Sequence, residues 1–174
     1  MSRFLGKDEM EAGIAKLAEQ IQARACGGPF ALIGIRSRGD EVAERVRKLL
    51  VEAGCVPDYG VLDISLYRDD FEHLHENPKL QGSEIDFPLE GANLVLVDDV
   101  LFTGRTIRAA LDALSDYGRP GKVELAVLID RGHRELPIQP DYVGIVLETA
   151  RRDHVYVSLE ATDGEDKIEI KDAS

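Results

Sequence analysis

The stretch LVDDVLFTGRT (96–106) places two adjacent carboxylates at the end of an apolar run and a Thr–Gly pair shortly after them. The residues that follow have helical spacing, and the free backbone N–H groups at a helix start can bind a phosphate. Gly104 lets that backbone approach a ligand closely, and the hydroxyls of Thr103 and Thr106 add donors. We therefore predict that this loop binds one phosphate monoester.

The two carboxylates need a different partner, because like charges keep them from binding the phosphate directly. Asp98 and Asp99 can accept hydrogen bonds from sugar hydroxyls or hold Mg²⁺ through water. A ligand with a phosphate at one end and a diol with a divalent cation at the other would satisfy both halves of the motif. Turn chemistry alone would explain any single residue here, but not the combination. The chain lacks the P-loop and dinucleotide-binding glycine patterns.

The surrounding sequence predicts the elements that hold this motif. Helical spacing indicates helices over 10–21, 42–50 and 107–114, with Asp40 expected to cap the second. Short apolar runs predict strands at 30–35, 59–67, 93–97, 122–129, 142–147, 155–159 and 167–171. Alternating strands and helices favour an α/β fold with a mostly parallel sheet, whose ligands bind beyond the carboxyl ends of the strands. Antiparallel strands are expected at one edge near the C-terminus.

Length and composition narrow the class of protein. The 174 residues fit one domain over 1–174, interrupted by a polar, aperiodic segment at about 70–88 that is expected to be a lid or disordered. The net charge of −12 disfavours nucleic acid as a partner, except on a locally basic face. No secretory h-region and no membrane-length apolar run is present, so we expect a cytoplasmic protein. Cys26 and Cys55 are expected to be two buried thiols rather than metal ligands.

Four segments resemble the PyrR family, bacterial attenuators of the pyrimidine operon that also have uracil phosphoribosyltransferase activity. LVLVDDVLFTGRT is similar to the signature that binds phosphoribosyl pyrophosphate (PRPP) in type I phosphoribosyltransferases. GIRSRGD (34–40), DISLYRDD (63–70) and DRGHRELPIQPDYVG (130–144) resemble PyrR segments in the same order. The resemblance covers about residues 8–171. It implies the type I phosphoribosyltransferase fold with a mobile lid and a small hood, and a Mg²⁺-dependent reaction that makes UMP and pyrophosphate from uracil and PRPP.

The resemblance also implies roles for single residues around PRPP. The 5′-phosphate would bind to Thr103, Gly104, Arg105 and Thr106, with Asp98 and Asp99 facing the ribose diol. The pyrophosphate loop would be Ser37, Arg38 and Gly39, which in such enzymes presents backbone N–H groups through an unusual peptide conformation. Arg68 would assist catalysis, or else pair with Asp69 or Asp70. Lys79, in the lid, would either reach the pyrophosphate or be solvated.

The resemblance places the base under a hood near Arg131 and the strand around Val155. His133 and Arg134 would act near the base or serve a structural role by pairing with neighbouring acids. The family further implies a homodimer or higher homo-oligomer, with UMP and UTP as ligands.

A second function implied by the family is nucleotide-dependent binding of a pyr leader RNA. Four positions that carry donors or positive charge in RNA-binding members, as we align them, are Ala15, Glu19, Gln139 and Ile145 here. Residues 140–174 hold four basic residues against nine acidic ones. We therefore rank enzyme activity first and RNA-dependent regulation second.

Overall fold

The computed structural model describes residues 1–69 and 82–173. Along the chain its elements are β1 (Ser2–Leu5), α1 (Lys7–Ala25), β2 (Ala31–Ile35), α2 (Gly39–Glu52), β3 (Asp58–Leu62), a 3₁₀ helix (Ser65–Tyr67), β4 (Asn93–Leu101), α3 (Arg105–Ser115), β5 (Lys122–Asp130), β6 (Tyr142–Val146), β7 (His154–Ser158), α4 (Glu160–Asp163) and β8 (Lys167–Lys171).

A parallel five-stranded sheet forms the centre of the fold, in the strand order β3-β2-β4-β5-β6. Every residue of β2 is buried, as expected for a strand covered on both faces. After β3 the chain crosses to the other side of β2 and continues as β4, so the strand order reverses between β2 and β4. Such a switch point opens a crevice beyond the carboxyl ends of the two strands.

Helices cover both faces of the sheet. The apolar faces of α1 and α2 pack on one side in a cluster that includes Leu17, Val46 and Leu128. On the other side, α3 contributes Ile107 and Leu114 to a second cluster. This arrangement confirms the predicted α/β fold class.

The antiparallel strands near the C-terminus form a sheet of their own rather than extending one edge of the parallel sheet. Its order is β1-β8-β7, so the first strand of the chain, which was not predicted, pairs with the last. Ile168 and Ile170 face inward and are buried, which fixes the register of β8.

Several predicted boundaries differ from the structure. The strand expected over 93–97 continues to Leu101, so Asp98 and Asp99 lie within it. The strand expected over 59–67 ends at Leu62, because the carboxylate of Asp63 accepts hydrogen bonds from the backbone N–H groups of Ser65 and Gly82 and turns the chain. Asp40 does not cap α2. Arg38 occupies the N-cap position with a left-handed φ of 77°, and Asp40 lies in the first helical turn.

The prediction of two free thiols was also wrong. Cys26 follows α1 and Cys55 follows α2, and the packing of the two helices brings their Cα atoms to 5.9 Å, where the structure joins them in a disulfide. Lys79 and most of the predicted lid lie outside the described residues. No helix in the described ranges is long and apolar enough to cross a membrane.

Candidate functional site

The acidic pair and the loop after β2 meet at the switch point of the sheet. A Cβ atom built on Gly39 would lie 2.6 Å from the carbonyl oxygen of Val97 and 3.0 Å from the Cα of Asp98. Only glycine permits this approach, so the 37–39 loop packs directly against the strand that carries the carboxylates. The preceding Arg36–Ser37 peptide bond is cis.

Asp98 and Asp99 lie near the end of β4 and are largely desolvated. Asp98 is 4 % exposed; its Oδ1 accepts the Asp99 N–H at 2.9 Å, and Asp99 Oδ1 accepts the Val100 N–H at 2.8 Å. Burial raises the pKa of Asp98 well above its usual range, and the neighbouring Asp99 charge adds to the effect. Burial also raises the pKa of Asp99. A cation or hydroxyl donors placed beside the pair would favour its ionised form, because they offset the cost of holding two buried charges together.

The phosphate loop predicted from sequence opens α3. Gly104 is the N-cap with φ 94°, and a Cβ there would come within 3.3–3.4 Å of Ile138 and Leu136. Glycine thus satisfies both the backbone conformation and the packing. The Thr103 Oγ1 accepts the N–H of Arg105 at 3.3 Å, so this hydroxyl also supports the turn itself.

A cavity of about 340 Å³ lies over this loop. Its lining residues are Arg68, Asp69 and the continuous run 100–107, which includes Thr103, Gly104, Arg105 and Thr106. The volume lies in the range of small-molecule sites. Ser37, Arg38, Asp98 and Asp99 lie outside this lining. The close approach of Gly39 to Asp98 joins the 37–39 loop to the acidic pair, and β4 continues from the pair into the lining at Val100.

Acidic side chains engage the arginines of α3 at the rim of the cavity. Arg105 Nη1 lies 3.1 Å from Asp69 Oδ2, and its Nη2 lies 3.8 Å from Glu135 Oε2. Arg108 also pairs with Asp69, and Arg151 pairs with Glu135 at 3.0 Å. The Arg105 side chain, expected at the phosphate, therefore lies between two carboxylates in this structure.

Arg134 supports the phosphate loop from outside. Its Nη1 donates to the carbonyl oxygen of Phe102 at 2.9 Å, its Nε donates to that of Ile138 at 2.9 Å, and its Nη2 lies 2.7 Å from Asp130. The Thr103 carbonyl accepts backbone N–H bonds from the same segment, at residues 135 and 136. Of the two roles considered for Arg134, these contacts favour the structural one.

Arg131 is buried beside the predicted position of the base. Its guanidinium lies 4.0 Å from the centre of the Phe102 ring, and its Nη2 donates to the Ala150 carbonyl at 3.0 Å. The Nε is buried without a hydrogen-bond partner among the described residues, and burial lowers the pKa of Arg131. His133 Nε2 donates to the Thr149 carbonyl at 2.6 Å, a structural contact.

Val155 is half-buried in β7 and packs against the core cluster of α1 and α2. Its place beside the base stays a prediction.

Two residues of this site were missed by the sequence reasoning. Phe102 lies inside the quoted motif, but nothing in the sequence indicated that Arg131 would stack on its ring. Asp163 hydrogen-bonds to Arg38 from 125 positions away, and only the tertiary fold brings the two together.

A family model described as a phosphoribosyl transferase domain matches residues 2–161. Among curated relatives, a bifunctional protein PyrR of Akkermansia muciniphila is 52 % identical over 157 residues, covering 90 % of this chain and 88 % of the relative. A bifunctional protein PyrR of Acetivibrio thermocellus is 51 % identical over 174 residues, covering 98 % and 94 % of the two chains.

Solved structures with the same fold include a hypoxanthine phosphoribosyltransferase of Trypanosoma cruzi, with a TM-score of 0.72 and 17 % identity, covering 98 % of this chain and 91 % of the other. Another is the HGPRT-ase of Leishmania tarentolae in complex with GMP, with a TM-score of 0.71 and 17 % identity, covering 99 % and 97 %. At this identity the likeness establishes the type I phosphoribosyltransferase fold alone.

Proposed function

Because the chain belongs to the PyrR family of phosphoribosyltransferases, we propose that it makes UMP and pyrophosphate from uracil and PRPP. The observation that carries this proposal is the junction of three motifs at one switch point. The phosphate loop at 103–106, the acidic pair, and the loop at 37–39 match, in order, the 5′-phosphate, the ribose diol and the pyrophosphate of PRPP.

The chemistry follows from the charges that this arrangement offers. N1 of uracil forms a bond to the anomeric carbon as the bond from that carbon to the pyrophosphate oxygen breaks, and the N1 proton is lost to solvent. Positive charge develops on the sugar in the transition state, and the carboxylates of Asp98 and Asp99 stabilise it. Backbone N–H groups and Arg38 receive the negative charge gathered by the leaving group. No covalent intermediate with the protein is required.

Mg²⁺ is the cofactor that suits this donor set. Asp98 and Asp99 each use one oxygen for a backbone N–H, and adjacent carboxylates are oxygen ligands of the kind that a hydrated Mg²⁺ prefers. Within the described ranges, no group of three or more carboxylate, histidine or cysteine side chains forms a metal site. This fits an ion held mainly by water and by substrate phosphates. When bound, it would neutralise charge on the pyrophosphate.

RNA-dependent regulation is not favoured by the residues at the positions that carry donors or positive charge in RNA-binding members. Glu19 is exposed on α1, and Gln139 is an exposed neutral side chain. Ile145 packs toward Gly13, where a Cβ would lie 3.0 Å from the Ile145 Cγ1. A phosphate backbone would meet few cations here. We therefore expect a pyr leader RNA, tested with UMP at physiological salt, to bind no better than a scrambled stem-loop.

The proposal extends to UMP and UTP as ligands of the same site, to a cytoplasmic location and to a homodimer or larger assembly. Sedimentation of the purified protein, with and without UMP, measures the assembly.

The direct test is a base panel. Purified protein is incubated with PRPP, Mg²⁺ and uracil, hypoxanthine or guanine, and the nucleotide products are separated by chromatography. We expect UMP as the main product and none from Asp99→Asn. Formation of a purine nucleotide in place of UMP would refute uracil as the substrate while leaving the reaction class intact. UMP formation that persists in Asp99→Asn would refute the role of the acidic pair.

A further inference from the structure

The C-terminal segment contacts the loop at 37–39 through one bidentate ion pair. Arg38 Nη2 donates to Asp163 Oδ1 at 2.8 Å, and Arg38 Nε donates to Asp163 Oδ2 at 3.2 Å. The Arg38 side chain is 36 % exposed and that of Asp163 is 23 % exposed, so the pair is partly shielded from solvent. Both oxygens of one carboxylate thus engage one edge of the guanidinium, the geometry that fixes its orientation most strongly.

Asp163 is itself held in place. Its Oδ2 accepts the backbone N–H of Leu159 at 2.9 Å, which closes the short helix α4 onto its own start. The hydrogen bond from Arg38 is the main reason that the pKa of Asp163 is lowered, so the carboxylate is ionised at neutral pH.

The same segment is fixed to α2 at other points. Glu41 accepts the Ala161 N–H at 3.0 Å and the Thr162 hydroxyl at 2.9 Å. Asp166 accepts two hydrogen bonds from Arg45, at 2.7 and 2.8 Å. Asp163 therefore reaches Arg38 from a rigid support, whereas the Asp166–Arg45 pair lies further along α2 and does not involve the 37–39 loop.

We propose that Asp163 is a positioning residue that holds the guanidinium of Arg38 at the pyrophosphate loop. The proposal rests on the proposed function, which assigns residues 37–39 to the pyrophosphate. Asp163 uses two of the five N–H donors of a guanidinium, which leaves three for phosphate oxygens. The Arg38 side chain is long and flexible, so a fixed carboxylate partner reduces the entropy cost of holding its guanidinium in one place.

The test compares Asp163→Asn with Asp166→Asn, which removes an ion pair from the same segment without touching Arg38. Asparagine keeps the size of the side chain but offers one acceptor oxygen and no charge. For Asp163→Asn we expect KM for PRPP, and KM for pyrophosphate in the reverse reaction, to rise about tenfold, with KM for uracil unchanged. Asp166→Asn is expected to lower the thermal stability while leaving all three constants near their original values.

Arg38→Ala separates the inference from the assignment on which it rests. If this variant leaves KM for PRPP and pyrophosphate unchanged, the pyrophosphate-loop assignment fails. If it raises both, but Asp163→Asn does not or Asp166→Asn raises them equally, the positioning role of Asp163 fails alone. The double variant Arg38→Ala/Asp163→Asn should be no worse than Arg38→Ala, and an additive loss would also refute the role. Should Asp163→Asn not fold, Asp163→Glu keeps the charge and should raise the two KM values less than Arg38→Ala does.

Discussion

The backbone of Gly39 packs directly on the backbone of Asp98, so the loop after β2 and the carboxylates at the end of β4 form one rigid unit. A Cβ at Gly39 would meet Val97 O at 2.6 Å and Asp98 Oδ1 at 3.1 Å. Neither neighbour can retreat easily, because both belong to the central strand of the sheet. The spacing between the 37–39 loop and the acidic pair therefore depends on the absence of a Cβ atom at Gly39.

Gly39→Ala should consequently impair both stability and catalysis. Overpacking at this contact is expected to lower the free energy of unfolding by about 1–3 kcal/mol, and displacement of the acidic pair should lower kcat/KM for PRPP by at least about tenfold. Urea denaturation and steady-state kinetics measure the two effects. Gly27→Ala is the matched control, because a Cβ at Gly27 meets nothing within 4 Å. Wild-type kinetics in Gly39→Ala would contradict the proposed coupling of the two loops.

Arg134→Ala tests whether the segment after β5 supports the phosphate loop. Removing the guanidinium leaves the carbonyls of Phe102 and Ile138 without their charged donor, and Asp130 loses the ion pair with Arg134. Loss of such a bond at a binding loop is expected to raise KM for PRPP about ten- to a hundredfold, with a smaller change in KM for uracil. Arg152→Ala, at an exposed position, serves as the control. A selective rise in KM for uracil would instead place Arg134 at the base.

The local structure around the acidic pair and the 103–106 loop was predictable from sequence because the residues involved are neighbours in the chain. Local patterns predict the same local structure in different tertiary contexts. The patterns here are an apolar run, two carboxylates and a Thr–Gly helix start. The partners of this motif were not predictable in the same way. Asp163 and Arg134 have ordinary sequence contexts, and their roles depend on which loops the sheet order brings together.

The prediction of where β3 ends was wrong for a related reason. The strand expected to reach residue 67 stops because the Asp63 side chain binds Ser65 and, across the undescribed segment, Gly82. A short apolar run in the sequence carries no sign of such a competing hydrogen bond.

Asp166 should contribute to stability in a pH-dependent manner. Hydrogen bonds from Arg45 are the main reason that the pKa of Asp166 is lowered in the folded state. Its contribution is therefore complete above the unfolded-state pKa of about 3.9 and is lost as the pH falls through the lower folded-state value. At pH 7 we expect Asp166→Asn to lower the free energy of unfolding by about 1–2 kcal/mol. Urea titrations between about pH 2 and pH 7 should show the two proteins converging at the acid end. A constant difference across this range would contradict the assignment.

The Cys26–Cys55 disulfide should stabilise the fold without affecting the chemistry. It joins the C-terminal ends of α1 and α2, whereas the 37–39 loop lies at the start of α2. Closing a loop with a sequence separation of 29 residues is expected to stabilise the folded state by about 3–4 kcal/mol relative to the reduced chain. Thermal unfolding with and without a reductant, beside the Cys26→Ala/Cys55→Ala variant, measures this difference. KM for PRPP should stay the same in all three samples. A reductant that leaves the unfolding temperature of the wild type unchanged would show that the bond is absent in solution, and a changed KM would show that it influences the site.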